Sequence, residues 1–132
     1  MKGAVHIYTT TVPPGPSEMW QAVALMQRPN GRSVSEFIEP IRDPGNADSR
    51  IAAYAAILLA LAVGRKHGAN SAVIYSDDPL TIEALNKRAR VVPGAIGLYL
   101  QARAFAHSYR RSEFRYAAYP TISDLPVMTV GC

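Results

Sequence analysis

The chain has 132 residues, of which 48% are hydrophobic and 18% charged. This excludes a disordered or fibrous chain and suits a single domain spanning 1–132, one that buries roughly two-thirds of its unfolded surface without a disulfide or metal staple. The formal net charge is +4, and a positive excess favours phosphate-bearing partners. The one cysteine, Cys132, cannot form an internal disulfide, so a reducing, cytoplasmic setting is expected. No basic region followed by an apolar run opens the chain, so no secretory signal is expected. The longest apolar stretch, Ile51–Val63, has 13 residues. It falls short of the ~20 needed to cross a bilayer, so it reads as a buried helix and no membrane partner is expected.

Gly3–Thr11 is rich in β-branched and aromatic residues and predicts a strand. Pro13-Pro14-Gly15-Pro16 forces a turn. Met19–Gln27 alternates loosely and predicts a second strand, and Pro29-Asn30-Gly31 reads as a hairpin-type turn. Ser33–Ile41 predicts a third strand, completing an antiparallel meander. Asp43-Pro44-Gly45-Asn46 is loop. The period then changes: Ile51, Tyr54, Ala55, Leu58, Leu59 and Ala62 fall at helical spacing. Asp48 or Ser49 can cap this helix, Arg65, Lys66 and His67 suit its negative end, and Gly68 stops it. Ser71–Tyr75 predicts a short buried strand. Asp78 reads as the cap of a second helix, with Pro79 at its first position, running to about Asn86. After Val92-Pro93-Gly94, a third helix is expected over Ala95–Tyr109, then a strand over Phe114–Tyr119. The tail Pro120–Cys132 is open, with Pro126 against a long helix. The strand–helix–strand step through Ile51–Val63 implies a parallel crossover.

From Lys87 onward the basic residues are Lys87, Arg88, Arg90, Arg103, Arg110, Arg111 and Arg115, opposed only by Glu113 and Asp124. Tyr109, Tyr116 and Tyr119 interleave with Arg110, Arg111 and Arg115, a pattern compatible with base stacking beside phosphate contacts. Thr9, Thr10 and Thr11 have hydroxyls able to bond a phosphate. The histidines His6, His67 and His107 lack metal-ligand spacing and read as structural.

The order βββ-α-β-α-α-β resembles the ribonuclease H-like superfamily. The residues carrying the likeness run from Asp48 to Leu61 (DSRIAAYAAILLAL) and from Ala72 to Asp78 (AVIYSDD). The family shows a polar cap, a helix opening near an Ala-Glu-Tyr or Met-Glu-Leu triplet, and a strand ending in Thr-Asp-Ser or Ser-Asp-Ser. The resemblance implies an α/β domain with a mixed five-stranded sheet, three antiparallel strands followed by parallel ones, flanked by helices. It also implies four carboxylates holding two divalent ions for phosphodiester cleavage. Mapped onto this chain, the first-strand acid falls on Thr10 and the first-helix acid on Ala53, or on Ala52 with a one-residue slip. The third is present as Asp77. The last falls on Met128, or on Asp124 in a shortened ending. One carboxylate of four is kept, and Asp77 with Asp78 would hold magnesium only weakly.

The expectation is therefore a degenerate ribonuclease H-like domain that binds RNA, an RNA/DNA hybrid or a protein partner, with no cofactor. Thr10 and, at the first helix start, Asn46, Ser49 and Arg50 would meet phosphate. Arg88, Arg90, Arg110 and Arg111 would add the electrostatic term. One alternative is a magnesium-dependent hybrid ribonuclease rebuilt on Asp48, Asp77, Asp78 and Asp124. Another is a homodimeric assembly module, since the Ile51–Val63 helix is apolar on almost every side and needs cover all round.

Overall fold

A computed structural model describes residues 3–15, 19–29, 34–41, 48–120 and 128–130. Asn46, Asp124, Pro126, Cys132 and the Asn30-Gly31 turn lie outside them. The elements in chain order are β1 (Val5–Val12), β2 (Gln21–Gln27), β3 (Val34–Pro40), α1 (Ser49–Lys66), β4 (Ser71–Ser76), α2 (Pro79–Leu85), a 3₁₀ turn (Pro93–Ala95), α3 (Ile96–His107), β5 (Arg111–Tyr116) and β6 (Met128–Val130). The strands form one sheet in the order β5-β4-β1-β2-β3-β6. β1–β2 and β2–β3 pair antiparallel, while β4 lies parallel to β1 and β5 parallel to β4. The five expected strands are thus in place, and the open tail adds β6, parallel to β3.

Helix α1 forms where the apolar run demands it, and its ends are set by polar chemistry. The Asp48 carboxylate accepts from the N–H groups of Arg50 (3.0 Å) and Ile51 (2.9 Å), which the helix cannot satisfy itself. Asp48 is the cap, and Ser49 is the first helical residue. Arg65 and Lys66 occupy the last turn, and Gly68 takes φ +82° just beyond it. One face of α1 packs on Val5, Ile7, Ala24, Met26 and Ile74, which project from the same side of the sheet, and α3 adds Ala102 and Ala106. The sheet, α3 and the 3₁₀ turn cover most of the helix, leaving Ala55, Leu58 and Leu59 half-buried and Ala62 exposed.

The last strand, the third helix and the cap of the second depart from the sequence expectation. The last strand begins at Arg111 rather than Phe114 and ends at Tyr116, because its ladder with β4 starts at the Ser71↔Arg111 pair. Its alternating Arg111, Glu113 and Arg115 suit an edge strand. The third helix starts at Ile96, since Pro93 has no N–H to donate and a 3₁₀ turn precedes it. Asp78 sits at the N-cap of α2 but makes no side-chain bond to the helix backbone; its carboxylate is used elsewhere.

On the sheet face away from α1, Val23, Leu25 and Val34 are also buried. The chain leaving β5 reaches across this face, where the Tyr119 hydroxyl donates to Glu36 Oε2 on β3 at 2.5 Å. Burial, and then this bond, raise the Tyr119 pKa.

Two buried tyrosines predict the alkaline behaviour. Burial raises Tyr54 and Tyr109 each to about 12, against ~10 in the unfolded chain. The folded state therefore keeps protons that the unfolded state gives up. Stability is full below pH ~10 and falls as pH rises towards ~12, by about 1.4 kcal/mol per pH unit for each tyrosine. Urea midpoints followed by circular dichroism across this range should show the loss, and Tyr54→Phe should make the slope shallower. An unchanged slope in that variant would contradict the assignment.

Candidate functional site

Strands β1 and β4 run parallel, and their ladder ends at the Thr9↔Ser76 pair. The next residues, Thr10 and Asp77, therefore emerge side by side at the carboxyl end of the sheet. The Thr10 hydroxyl donates to Asp77 Oδ2 at 2.5 Å. Beneath them the ends of the strands are pinned: the buried Thr9 hydroxyl donates to the Tyr75 carbonyl at 2.7 Å, and Ser76 Oγ accepts from the Asp78 N–H at 3.1 Å.

The first turn of α1 arrives at the same end. Arg50 Nε donates to Asp78 Oδ2 at 2.8 Å, and the Thr81 hydroxyl donates to the same oxygen at 2.6 Å. This explains why Asp78 leaves the α2 backbone uncapped. Its side chain and that of Arg50 are 22% and 27% exposed, so the pair keeps part of its strength against solvent. One turn along α1 from Arg50 lies Ala53, which is 4% exposed, beside Ala52 at 0%. Among the described residues, no group of three or more histidine, cysteine, aspartate or glutamate side chains is placed to hold a metal ion. Asp77 is exposed, with a hydroxyl as its neighbour rather than a second carboxylate.

The structure brings Thr10, Asp77, Asp78 and Arg50 together, with Asp48 close by as the helix cap. Ser49 is exposed at the start of α1. The helix N-terminus already holds the Asp48 carboxylate, and the Arg50 guanidinium holds Asp78, so an incoming phosphate has to compete for both. The basic residues after α2 divide by position. Arg110 and Arg111 are exposed at the opening of β5, and their N–H groups both point to the Asn70 carbonyl. Arg111 pairs with Ser71, so about 20 Å of strand separates these two arginines from Asp77. Arg88 is exposed and donates twice to Glu83, at 3.0 and 3.1 Å; Arg90 is exposed.

The expected interleaved tyrosines are not one surface. Tyr109 is 5% exposed, and its hydroxyl donates to the Leu61 carbonyl, with Arg65 over the ring at 5.5 Å. It is a core residue. Tyr119 is held by Glu36, and Tyr116 alone of the three stands out, 58% exposed. A different aromatic group, missed by the sequence reading, lies on the sheet face away from α1. Tyr8 and Tyr75 stack at 4.3 Å, and His6 Nδ1 lies 2.8 Å from the Tyr75 hydroxyl. Burial, foremost, lowers the His6 pKa. Only the ladder of β1 with β4 reveals this group, because Tyr8 and Tyr75 are partners in register.

A meander of three antiparallel strands, continued through a helix into parallel strands on the far side of β1, is the ribonuclease H-like fold, and this chain has it. Among solved structures the chain is similar to the N-terminal ribonuclease H domain of a Mycobacterium tuberculosis protein, at 25% identity over 88% of both chains with a TM-score of 0.75. It is similar to ribonuclease H1 of Halobacterium salinarum at 19% identity, over 87% of this chain and 86% of that one, TM-score 0.76. A third is LC11 ribonuclease H1, from compost, in complex with an RNA/DNA hybrid, at 15% identity over 86% and 84%, TM-score 0.72. No family model and no curated protein sequence matches the chain. No helix among the described residues is long and apolar enough to cross a membrane.

Proposed function

We propose that this chain is a ribonuclease H-like domain that binds an RNA/DNA hybrid and does not cut it. The observation that carries this reading is the Thr10–Asp77 hydrogen bond. At the strand end where cleavage needs clustered carboxylates, a neutral hydroxyl and a single acid face each other. Twin magnesium ions demand several hard oxygen ligands, and the described residues here do not fit them: the Ala53 methyl offers none, and Asp48 and Asp78 are engaged by the α1 backbone and by Arg50. The same engagement counts against a rebuilt metal site on Asp48, Asp77 and Asp78. The likeness to a protein held on a hybrid supports the ligand class, and Arg88, Arg90, Arg110 and Arg111 supply long-range attraction.

Hybrid binding should weaken steeply with salt, log affinity falling by about 0.9 per neutralised phosphate for each unit of log salt. Incubation with magnesium or manganese should leave the hybrid intact on a denaturing gel. Asp77→Asn removes a negative charge facing the backbone, so it should bind the hybrid as well as the parent or better. Cleavage by the parent protein, abolished in Asp77→Asn, would overturn the proposal.

A further inference from the structure

Among the described residues the two ends of the sheet carry opposite charge. β1, β4 and β5 all start at the end where β2 finishes and where α1 and α3 run out. Chain direction therefore brings to that end Arg28 after β2, Arg65, Lys66 and His67 closing α1, and Arg110 and Arg111 opening β5. The described carboxylates lie elsewhere. Glu39, Asp48, Asp77 and Asp78 belong to the other end, and Glu83 is bound to Arg88. Glu36 and Glu113, two residues up their strands, are held by Tyr119 and Arg115. We propose that the basic end is a second docking surface, one that takes the phosphodiester backbone of a double-stranded nucleic acid. The inference uses no residue of the Thr10–Asp77 end and does not rest on hybrid binding there.

The centre of this surface is a depression of about 490 Å³ between the end of β2 and the turn from α1 into β4. Its polar lining residues are Arg28, His67, Asn70 and Ser71, and no carboxylate is among them. Arg28 is half-buried and oriented, its Nη1 donating to Ser35 Oγ at 3.0 Å. That bond fixes the planar fork and leaves other N–H donors for a ligand. The Asn70 carbonyl accepts the Arg110 N–H at 2.8 Å, which ties the opening of β5 to the depression. Arg65 is steadied over the Tyr109 ring at 5.5 Å. Among the described residues, none of Arg28, Arg65, Lys66, Arg110 and Arg111 is in an ion pair. Arg111 projects to the sheet face away from α1, on the side of Tyr75, so it extends the surface around the edge and does not enter the depression.

A rim of donors without an acid selects an anion, and guanidiniums match phosphate oxygens two at a time. From Arg28 on β2 to Arg111 on β5 there are three strand spacings, about 14 Å, so the surface suits a row of anions rather than one. Two further observations choose the row. No large apolar side chain among the described residues is exposed at this end, so nothing here would insert into a lipid surface. No aromatic face is free for the unstacked bases of a single strand: Tyr109 is buried, and His67 packs against Phe37 at 5.4 Å. A double helix keeps its bases inside and its phosphates outside, so it is held through its backbone alone.

The test uses isotope-labelled protein and a short blunt DNA duplex, with the amide resonances of Gly68 and Asn70 as the readout. The duplex should shift both, with an affinity that falls steeply as salt rises. Silence with the duplex would overturn the surface. Polyglutamate of matched charge that shifts them as strongly would overturn the duplex in favour of an acidic protein partner. Phosphatidylserine vesicles that do so would overturn it in favour of a membrane. Lys66→Gln and Arg110→Gln change exposed side chains. Each should weaken duplex binding roughly fivefold and lower its salt slope by about one. Unchanged affinity in both variants also counts against the surface. A titration with the hybrid separates the two readings. Shifts at Thr10 and Asp77 in a protein whose Gly68 and Asn70 ignore every duplex would sink this inference alone. Shifts confined to Gly68 and Asn70 would sink only the earlier reading.

Discussion

Gly64→Ala is expected to destabilise the protein by about 2 kcal/mol, although alanine favours a helix over glycine by ~1 kcal/mol. Packing decides the sign. Gly64 is buried in the last turn of α1, and a Cβ there would press on the Tyr109 hydroxyl and lie 3.3 Å from Ile7 Cδ1. The hydroxyl has no room to retreat, because it donates to the Leu61 carbonyl at 2.5 Å from a ring that is only 5% exposed. The loss should appear as a fall of roughly 6–8 °C in Tm. Tyr109→Phe alone should cost about 1 kcal/mol, the worth of its hydrogen bond. Combined with Gly64→Ala it removes the atom that clashes, so the double variant should be more stable than the sum of the single losses implies. Urea melts of the four proteins close this cycle. Strict additivity would mean that the glycine is not there for the tyrosine.

The same contact shows where reading the sequence works and where it stops. Helix α1 was legible because its signals are local: an uncharged run, an acid before it, bases in its last turn and a glycine after. The Tyr109–Gly64 approach joins residues far apart in sequence, and nothing near Tyr109 marks it as buried. Its neighbours Arg110 and Arg111 made it look like part of a surface patch. Strand geometry scatters that patch, because Arg111 and Arg115 sit at different points along β5 while Tyr109 precedes the strand and turns inward. Asp78 misleads in the opposite way. Asp-Pro before a helix is a sound local capping signal, but the first turn of α1 brings an arginine that binds the carboxylate more strongly than backbone N–H groups do. Thr10 beside Asp77 was legible only through the family resemblance, which carries a register that composition and spacing do not.

Restoring acids at the two neutral positions provides the sharpest test of what the strand end does. In Ala53→Glu a carboxylate enters a site that is 4% exposed. Its nearest base along the helix, Arg50, already holds Asp78. An uncompensated charge buried in this way should cost about 3 kcal/mol. Thr10→Asp replaces the donor to Asp77 with a second acid, and the two like charges raise each other's pKa. The double variant should therefore be clearly less stable than the parent at neutral pH in the presence of a chelator. Manganese should then recover much of the loss, because an ion that binds only the folded state stabilises it by about 2.7 kcal/mol at a hundredfold excess over its Kd. The parent, with a hydroxyl and a methyl at those positions, should show no comparable rise in Tm at the same manganese concentration. If the parent is stabilised as strongly as the double variant, its own side chains already grip the ions, and the claim that this domain holds nucleic acid without cutting it fails.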